Sequence, residues 1–455
     1  MESNNTDLSK GNIGNLLFKL ATPAIIAQIV NVLYNIVDRI FIGRIENGDI
    51  AMAGVGIAFP IIMIISAFAA LIGMGGAPLA AIKMGEKDND SAEKILSNSF
   101  SMLIIISLIL TVTFLIFNEP ILWAFGASNA TIGFAKEYLI IYLIGTIFVQ
   151  ISLGMNPFIN TQGFAKIGMM TVLIGAAINI LLDPIFIFVF DMGVKGAAIA
   201  TVTAQFVSAL WVIFFLFGKK SILKIRKKYM VPNLKIIFPI ITLGVAPFIM
   251  QSTESLVLIT LNNKLQVYGG DLAVGAMTIM SSISQIVTLP LTGLTQGAQP
   301  IISYNFGAKN IDRVKETFKL LLKSSIIYAV VVWISLMVFP EIFVSIFNNK
   351  PELLAITSWS IKIFFGGIFA IGAQIACQQT FLALGQAKTS LFLALLRKIV
   401  LLIPLTFIIP IFMENKLQGV LLAEPVADII AAITTVTCFT IFYKKTLTKM
   451  ENQLN

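Results

Sequence analysis

The 455-residue chain is 57% hydrophobic and 12% charged, which excludes an ordinary soluble domain, since such domains carry about 25% charged residues. Its net charge of +9 fits basic residues beside membrane spans and not a nucleic-acid partner. The chain has no histidine and two cysteines, both in apolar runs, so imidazole proton relays, His-ligated metals and a disulfide framework are also excluded.

The apolar runs are long and continuous, so they predict helices and not alternating strands. We expect an all-α membrane protein whose twelve transmembrane helices form two six-helix bundles related by a parallel repeat. The predicted spans are 15–43, 51–80, 95–117, 133–157, 165–190, 194–217, 236–261, 272–300, 319–340, 354–384, 391–413 and 417–443.

The distribution of Lys and Arg predicts the topology. Twelve spans place both termini on one side, and 24 of the 32 Lys and Arg residues fall on that side. The positive-inside rule then puts both termini in the cytoplasm. The abundance of Ile, Lys and Asn is typical of AT-rich bacterial genomes, so we expect a multi-pass protein of a bacterial cytoplasmic membrane.

A basic segment divides the chain nearly in half. Residues 1–218 form the predicted N-lobe with helices 1–6, residues 219–235 a cytoplasmic linker, and residues 236–455 the C-lobe with helices 7–12. The linker carries six Lys and Arg between Lys219 and Lys228. This charge suits contact with lipid headgroups, and a regulatory role is the alternative.

The two halves repeat each other in sequence. Gly75 and Gly85 recur 222 residues later as Gly297 and Gly307. Since each half has six spans, the repeats have the same orientation in the membrane. Parallel repeats commonly form two bundles around a central cavity, which indicates a transporter, acting here as a monomer, and not an enzyme.

An acid lies inside the first span. Asp38 falls in the apolar run from Leu16 to Gly43, where a charge costs about 2.5–3.5 kcal/mol on insertion scales. Such a residue usually turns inward and binds or carries an ion. The alternative, an ion pair with Arg39, is weak because adjacent helical residues point about 100° apart.

The fifth span carries an amide and an acid on one helix face. Asn179 and Asp183 are four residues apart, and the following Pro184 leaves the carbonyl of Ile180 without its usual donor. An amide, a carboxylate and a freed carbonyl within one turn suit a small cation or a shared proton. A structural kink at Asp183 is the alternative.

Further acids lie in the C-terminal half. Glu254, one turn after Gln251, forms a polar turn in helix 7, which we expect to face a cavity; an interhelical hydrogen bond is the alternative. Glu424 and Asp428 share a face of helix 12, where Asp428 can instead pair with Arg397 of helix 11.

These carboxylates predict coupling to an ion gradient and no cofactor. A low-dielectric cavity disfavours the charged form of a carboxylate, which can then exchange a proton for a cation. One charge crossing 100 mV supplies about 2.3 kcal/mol. The 35 Phe and 17 Met residues offer soft apolar surface to organic cations.

Several segments resemble the multidrug and toxic compound extrusion (MATE) family, and together they span nearly the whole chain. They are Pro23 and residues 37–43 in helix 1, the loop at Gly85, Asn179 with Asp183 and Pro184 in helix 5, and residues 196–201 at the start of helix 6.

The resemblance implies secondary active efflux of organic cations and drugs, driven by inward H+ or Na+, with alternating access between two lobes. It implies that the coupling ion binds at Asp38, Asn179, Asp183 and Thr201, with Asp38 and Asp183 as ligands if the ion is Na+. The substrate cavity or secondary coupling is assigned to Asn35, Gln251, Glu254 and Asp428.

One feature departs from part of that family. Some members pair an acid on helix 7 with an acid on helix 10. Glu254 matches the first, but helix 10 has no acid between Leu354 and Leu384. We therefore expect the coupling ion in the N-lobe.

Two other functions compete with this interpretation. A lipid-linked glycan flippase of the same superfamily would need a cationic cavity, but the mid-span basic residues are only Lys362, Arg397 and Lys398. A channel or a membrane-bound enzyme has less support, because the sequence offers no nucleophile–base pair and no metal-ligand cluster.

Overall fold

A computed structural model describes residues 6–347, 350–447 and 450, apart from the side chains of residues 255 and 271. The outermost residues of the two predicted lobes lie outside this description. Within it, all regular structure is helical, which confirms the predicted all-α class.

Eleven continuous helices and one bent pair are long and apolar enough to cross a membrane, in agreement with the twelve predicted spans. A short helix, Pro340–Ser345, lies between the ninth and tenth. The spans are α1 Ile13–Ile42, α2 Gly48–Gly85, α3 Asn89–Ala124, α4 Ile132–Ile144 with Thr146–Thr161, α5 Ala165–Val189, α6 Gly193–Phe217, α7 Leu234–Gly270, α8 Leu272–Gly307, α9 Ile311–Val338, α10 Pro351–Ala383, α11 Ala387–Ile411 and α12 Lys416–Leu447.

The fourth span is bent, whereas the sequence predicted one continuous run over 133–157. Its two halves meet at an angle of 59° around Gly145. A Cβ at Gly145 would lie 2.5 Å from a methyl carbon of Val202 in α6, so the missing side chain lets α6 approach at the bend. Hydropathy does not register such a contact, because both halves are equally apolar.

On the side away from the chain termini, each lobe has its own hydrophobic core. One core contains Ile42 and Leu139, with only residues of α1–α6. The other contains Leu265 and Val420, with residues that all follow the start of α7. The space between these two cores is the opening that we call the cleft.

On the side of the termini, the hydrophobic cores combine residues of both lobes. Ile240, from the first half of α7, packs in one core with Leu96 and Phe158 of the N-lobe. Leu16, from the first half of α1, packs in another with Ile302 of α8. Burial of apolar surface therefore holds the lobes together at this end, whereas at the other end the described residues form no core shared by the two lobes.

Glycines let α2 and α7 touch backbone to backbone at the closed end. A Cβ at Gly244 would lie 1.7 Å from the carbonyl oxygen of Leu71, and one at Gly75 would lie 2.2 Å from that of Ile240. No side chain fits at either distance, so these glycines set the separation of the two lobes.

The same arrangement joins α2 to α8. A Cβ at Gly85 would lie 2.0 Å from the carbonyl oxygen of Tyr304, and one at Gly307 would lie 1.9 Å from that of Ile82. Gly85 and Gly307 are the pair that recurs in the sequence repeat. Their recurrence thus has a physical reason: they face each other across the contact between lobes.

The basic linker after α6 is bound to the N-lobe. A carboxylate oxygen of Glu93 accepts the backbone N–H of Lys224 at 3.1 Å, and the other accepts Nε of Arg226 at 2.8 Å. The hydrogen bond from Arg226 to Glu93 and the negative charge of Glu93 raise the pKa of Arg226. Gln162, at the end of α4, accepts the N–H of Leu223 at 2.8 Å. The linker is a fixed part of the lobe and not a free loop.

We expect Glu93→Ala to release the linker and to speed tryptic cleavage between Lys219 and Lys228 roughly fivefold. Hydrogen bonds to a charged group are worth about 1.5–3 kcal/mol, and exposure of the arginine lowers that value. Limited proteolysis with mass spectrometry measures the rate. Glu316→Ala, which alters an exposed acid of α9, is the control, and equal cleavage of both variants would contradict a bound linker.

Candidate functional site

Three helices of the N-lobe bring the four predicted ion-site residues together. Asp38 comes from α1, Asn179 and Asp183 from α5, and Thr201 from α6. Their exposed fractions are 8%, 1%, 0% and 8% respectively. The sequence therefore located a buried polar cluster correctly, and its role in ion binding remains a prediction.

The end of α5 explains how the cluster is placed. Regular α-helix extends to Pro184, and Ile185–Val189 then form a wider π-helical turn. A Cβ at Gly196 would lie 2.6 Å from the carbonyl carbon of Phe186, so the start of α6 packs directly on this turn. That contact brings Thr201 of α6 beside α5.

Hydrogen bonds connect the members of the cluster. The Nδ2 group of Asn179 donates to Oδ1 of Asp183 at 3.1 Å and to Oγ1 of Thr201 at 3.4 Å. The carboxyl groups of Asp38 and Asp183 also interact electrostatically with each other. Two buried carboxylates at short range repel each other, and a bound proton or cation relieves that repulsion.

Three oxygen atoms of the cluster have no hydrogen-bond donor. They are Oδ1 of Asp38, Oδ1 of Asn179 and Oδ2 of Asp183, and all are buried. An unsatisfied buried acceptor costs about 1–3 kcal/mol, so three of them in one place indicate a site that receives a proton or a small cation.

The polar groups of the cluster limit which ions it could hold. Among the described residues, no group of three or more His, Cys, Asp or Glu could hold a metal ion. Two carboxylates, one amide and one hydroxyl offer only oxygen ligands, which suit Na+ and not a transition metal.

Arg39 acts on Asp38 through its charge but makes no ion-pair contact with it. Its side chain is exposed, and its guanidinium carbon lies 5.2 Å from the centroid of the Phe59 ring. The ion pair considered as an alternative for Asp38 is therefore not what the structure contains.

Sequence reasoning missed three tyrosines that surround the cluster. Tyr34 and Tyr138 interact electrostatically with Asp38, and the rings of Tyr138 and Tyr142 stack with centroids 6.2 Å apart. The spacing of Tyr138 and Tyr142, four residues apart within an apolar span, was the available signal. Their rings and phenol hydroxyl groups make the surroundings amphipathic.

A cavity of about 180 Å³ opens beside the cluster, between helices of the N-lobe and the second half of α8. Asn179 and Thr201 form part of its wall, so the cluster is adjacent to it. Amide and hydroxyl side chains supply most of the polar lining, and the sequence singled out few of them. Those it missed include Gln28, Ser152, Asn156, Asn160, Gln205, Ser208, Gln296 and Gln299.

Four residues predicted for the substrate cavity do not line this one. Asn35 is exposed and its Nδ2 donates to the carbonyl of Asn31 at 2.6 Å. Gln251 and Glu254 lie in α7 and Asp428 lies in α12, so these three residues belong to the C-lobe. The assignment of all four residues to the substrate cavity or to secondary coupling stays a prediction.

The three acids that the sequence singled out in the C-lobe spans are paired with bases. Arg397 contacts Glu424 at 3.0 Å and Asp428 at 2.6 Å, and Lys398 pairs with Glu254. The interhelical contacts held as alternatives for Glu254 and Asp428 are thus present. The N-lobe cluster differs from these, since it has acceptors without donors.

Comparison with known proteins places the chain among transporters. The family model described as MatE matches residues 23–185 and 245–408, which are equivalent stretches of the two halves. Multidrug export protein MepA of Staphylococcus haemolyticus (strain JCSC1435) is 27% identical over 425 residues, covering 93% of each chain.

Solved structures agree in fold. The crystal structure of MATE in the bent conformation superposes with a TM-score of 0.91 at 22% identity, covering 100% of this chain and 99% of the other. The outward-facing conformation of a multidrug resistance MATE family transporter of the MOP superfamily gives 0.89 at 22% identity over 98% of both. These likenesses support the duplicated two-lobe fold.

Proposed function

The chain belongs to the MATE family of multidrug efflux transporters, and on that premise we propose that it is an antiporter that exports organic cations in exchange for inward H+ or Na+. The MepA relative is named as a multidrug export protein, and the molecules exported here are small organic cations, drugs among them. No cofactor takes part in this scheme.

One observation carries the proposal: the three donor-free oxygens of Asp38, Asn179 and Asp183. Their burial beside a cavity gives a proton or Na+ a place to bind from solvent. It also gives the bound ion a means to act on a substrate, because charges in a low-dielectric site interact strongly over short distances.

Exchange follows from the charge of the two carboxyl groups. While Asp38 and Asp183 carry net negative charge, the adjacent cavity attracts an organic cation. Uptake of H+ or Na+ removes that charge, and the attraction of the cavity for the organic cation falls. Each ligand therefore weakens the binding of the other, as antiport requires.

The open end of the molecule determines the direction of release. The lobes separate at the cleft, away from the termini. With 24 of 32 Lys and Arg residues on the side of the termini, we propose that both termini are cytoplasmic, in a bacterial cytoplasmic membrane. The cleft then opens to the exterior, and one monomer performs the whole cycle by closing it.

Efflux of ethidium from bacterial cells tests this function. Cells expressing the wild type should lose preloaded ethidium several times faster than cells with an empty vector, and either a proton or a sodium gradient, imposed separately, should sustain the difference. No difference under either gradient would overturn the proposal, and the flippase alternative would then gain support.

A further inference from the structure

The C-lobe contains a charged counterpart of the N-lobe cluster. In the sequence repeat, α7, α11 and α12 correspond to α1, α5 and α6, the helices that build the N-lobe cluster. The same three helices supply Glu254, the bases Arg397 and Lys398, and the acids Glu424 and Asp428.

The two clusters differ in whether a donor group contacts their carboxylate oxygens. In the N-lobe, oxygen atoms of Asp38 and Asp183 have no donor. In the C-lobe, the ammonium group of Lys398 sits on the Glu254 carboxylate. The N-lobe acids have room for an external cation, whereas in the C-lobe the Lys398 side chain occupies the equivalent position.

The two C-lobe bases are held with unequal strength. Arg397 donates from Nε to Asp428 at 2.7 Å and from a terminal nitrogen to Glu424 at 3.0 Å. The side chains of these acids are only 3% and 15% exposed. This forked contact between buried partners is well fixed.

The Lys398 contact is asymmetric. Its own side chain is 9% exposed, but that of Glu254 is 67% exposed. A carboxylate does not project into hydrocarbon, so its exposed face lies toward water at the cleft. An ion pair with one open partner is weak and easily exchanged.

Lys398 also has a second set of acids within reach. Both Glu424 and Asp428 interact electrostatically with its ammonium group. Three carboxylates therefore surround two bases, and the group as a whole lacks one positive charge. If Lys398 moves toward Glu424, its ammonium group keeps a negatively charged partner, and the Glu254 carboxylate becomes free to bind another cation.

The local backbone favours such movement. Both bases lie in a π-helical turn, Leu396–Leu402, within α11. A π turn replaces the i→i+4 hydrogen bonds of the α-helix with wider i→i+5 bonds, and such turns occur frequently at functional sites.

We propose that Lys398 is a tethered cation that covers Glu254, and that an organic cation entering from the cleft binds Glu254 by displacing it. The inference rests on the proposed export of organic cations and assigns a second, self-covered cation site to the C-lobe. In this role Lys398 limits occupancy of the site: weakly attracted molecules do not displace it, whereas a well-fitting cation does.

Binding of ethidium to the purified protein in detergent tests the inference. Lys398→Met keeps the length of the side chain and removes its charge. We expect it to lower the Kd for ethidium about tenfold relative to wild type. The double variant Lys398→Met with Glu254→Gln should lose that gain, because the uncovered acid is gone.

The control is Lys362→Met, which removes an exposed lysine of α10 in the same lobe and should leave the Kd unchanged. Thermal unfolding of each variant verifies that it folds. The inference is overturned if Lys398→Met binds ethidium no more tightly than wild type, or if the gain survives in the double variant. These outcomes leave the efflux test of the wild type unaffected, so the two proposals fail separately.

Discussion

Asparagine in place of Asp38 or Asp183 is expected to abolish ion-driven ethidium efflux, with a loss of about a hundredfold in rate. Coupling free energies between two ligands are typically 1–3 kcal/mol, or about 5–150-fold. Asparagine preserves the shape of each side chain but neither binds a proton nor carries charge. The buried oxygen atoms of the cluster that lack a donor in the structure would then bind no coupling ion.

Folding should not suffer in these variants. Asp38 and Asp183 are buried and interact electrostatically with each other, and an amide in place of one removes the repulsion between two carboxylates. We therefore expect the temperature of unfolding to stay the same or to rise, as when a strained functional site is relieved. Loss of efflux together with unchanged stability identifies a functional defect.

Asp191→Asn is the matched control. This acid follows the π-helical turn of α5 and is exposed, with φ at 51°, a conformation that asparagine adopts readily. Its efflux should equal that of the wild type. Normal efflux by both Asp38→Asn and Asp183→Asn would move the coupling site elsewhere, and Glu254 would become the first residue to examine.

Alanine at Gly244 or Gly307 is expected to lower efflux at least tenfold by preventing closure on the side of the termini. The new Cβ would lie 1.7 Å or 1.9 Å from a backbone carbonyl oxygen of α2. Backbone cannot move aside as a flexible side chain can, so α2 must separate from α7 or α8. Overpacking of this kind costs typically 1–3 kcal/mol, which shifts the balance away from the observed state.

Maleimide labelling in inside-out membrane vesicles measures the shift. A reporter variant Gln299→Cys, with the native Cys377 and Cys438 replaced by serine, places a thiol in the cavity wall. Labelling should be faster when Gly244→Ala is added, because the closed end opens.

Gly56→Ala supplies the control for both assays. Gly56 is also in α2, but a Cβ there would meet nothing within 4 Å. It should leave efflux and labelling unchanged. Wild-type efflux by both Gly244→Ala and Gly307→Ala would show that the lobes need no close glycine contact.

Much of the fold follows from hydropathy alone. The predicted spans 165–190 and 194–217 match Ala165–Val189 and Gly193–Phe217 closely, because the length of an apolar run and its flanking charges limit where a helix crosses. The repeat was readable because identical glycines recur at one offset. Gly85 and Gly307 recur because each makes the same kind of contact, with a backbone carbonyl of the helix that carries the other.

Other features needed three-dimensional contacts. The bend of α4 depends on Val202, which lies far away in the chain. The first half of α1 packs with C-lobe residues, although its sequence resembles that of any apolar span. Hydrophobic periodicity indicates that a face is buried, but it does not name the surface that covers it.

The candidate site was also only partly predictable from the sequence. Asp38, Asn179 and Asp183 stood out because charges and amides are costly in apolar spans. Glu254 and Asp428 stood out for that reason too, but a sequence does not show whether a base covers an acid. The cavity residues Asn156 and Gln205 were overlooked, since a neutral amide is a weaker signal than a charge.

Ion movement in proteoliposomes tests the central claim most directly. Purified wild type would be reconstituted, an ethidium gradient imposed, and the flux of H+ and of Na+ followed with a pH-sensitive dye and radioactive sodium. Antiport predicts that ethidium drives one of the two ions in the opposite direction, and that Asp38→Asn abolishes this flux. Ethidium transport by the wild type that moves neither ion, or ion flux that persists in Asp38→Asn, would contradict it.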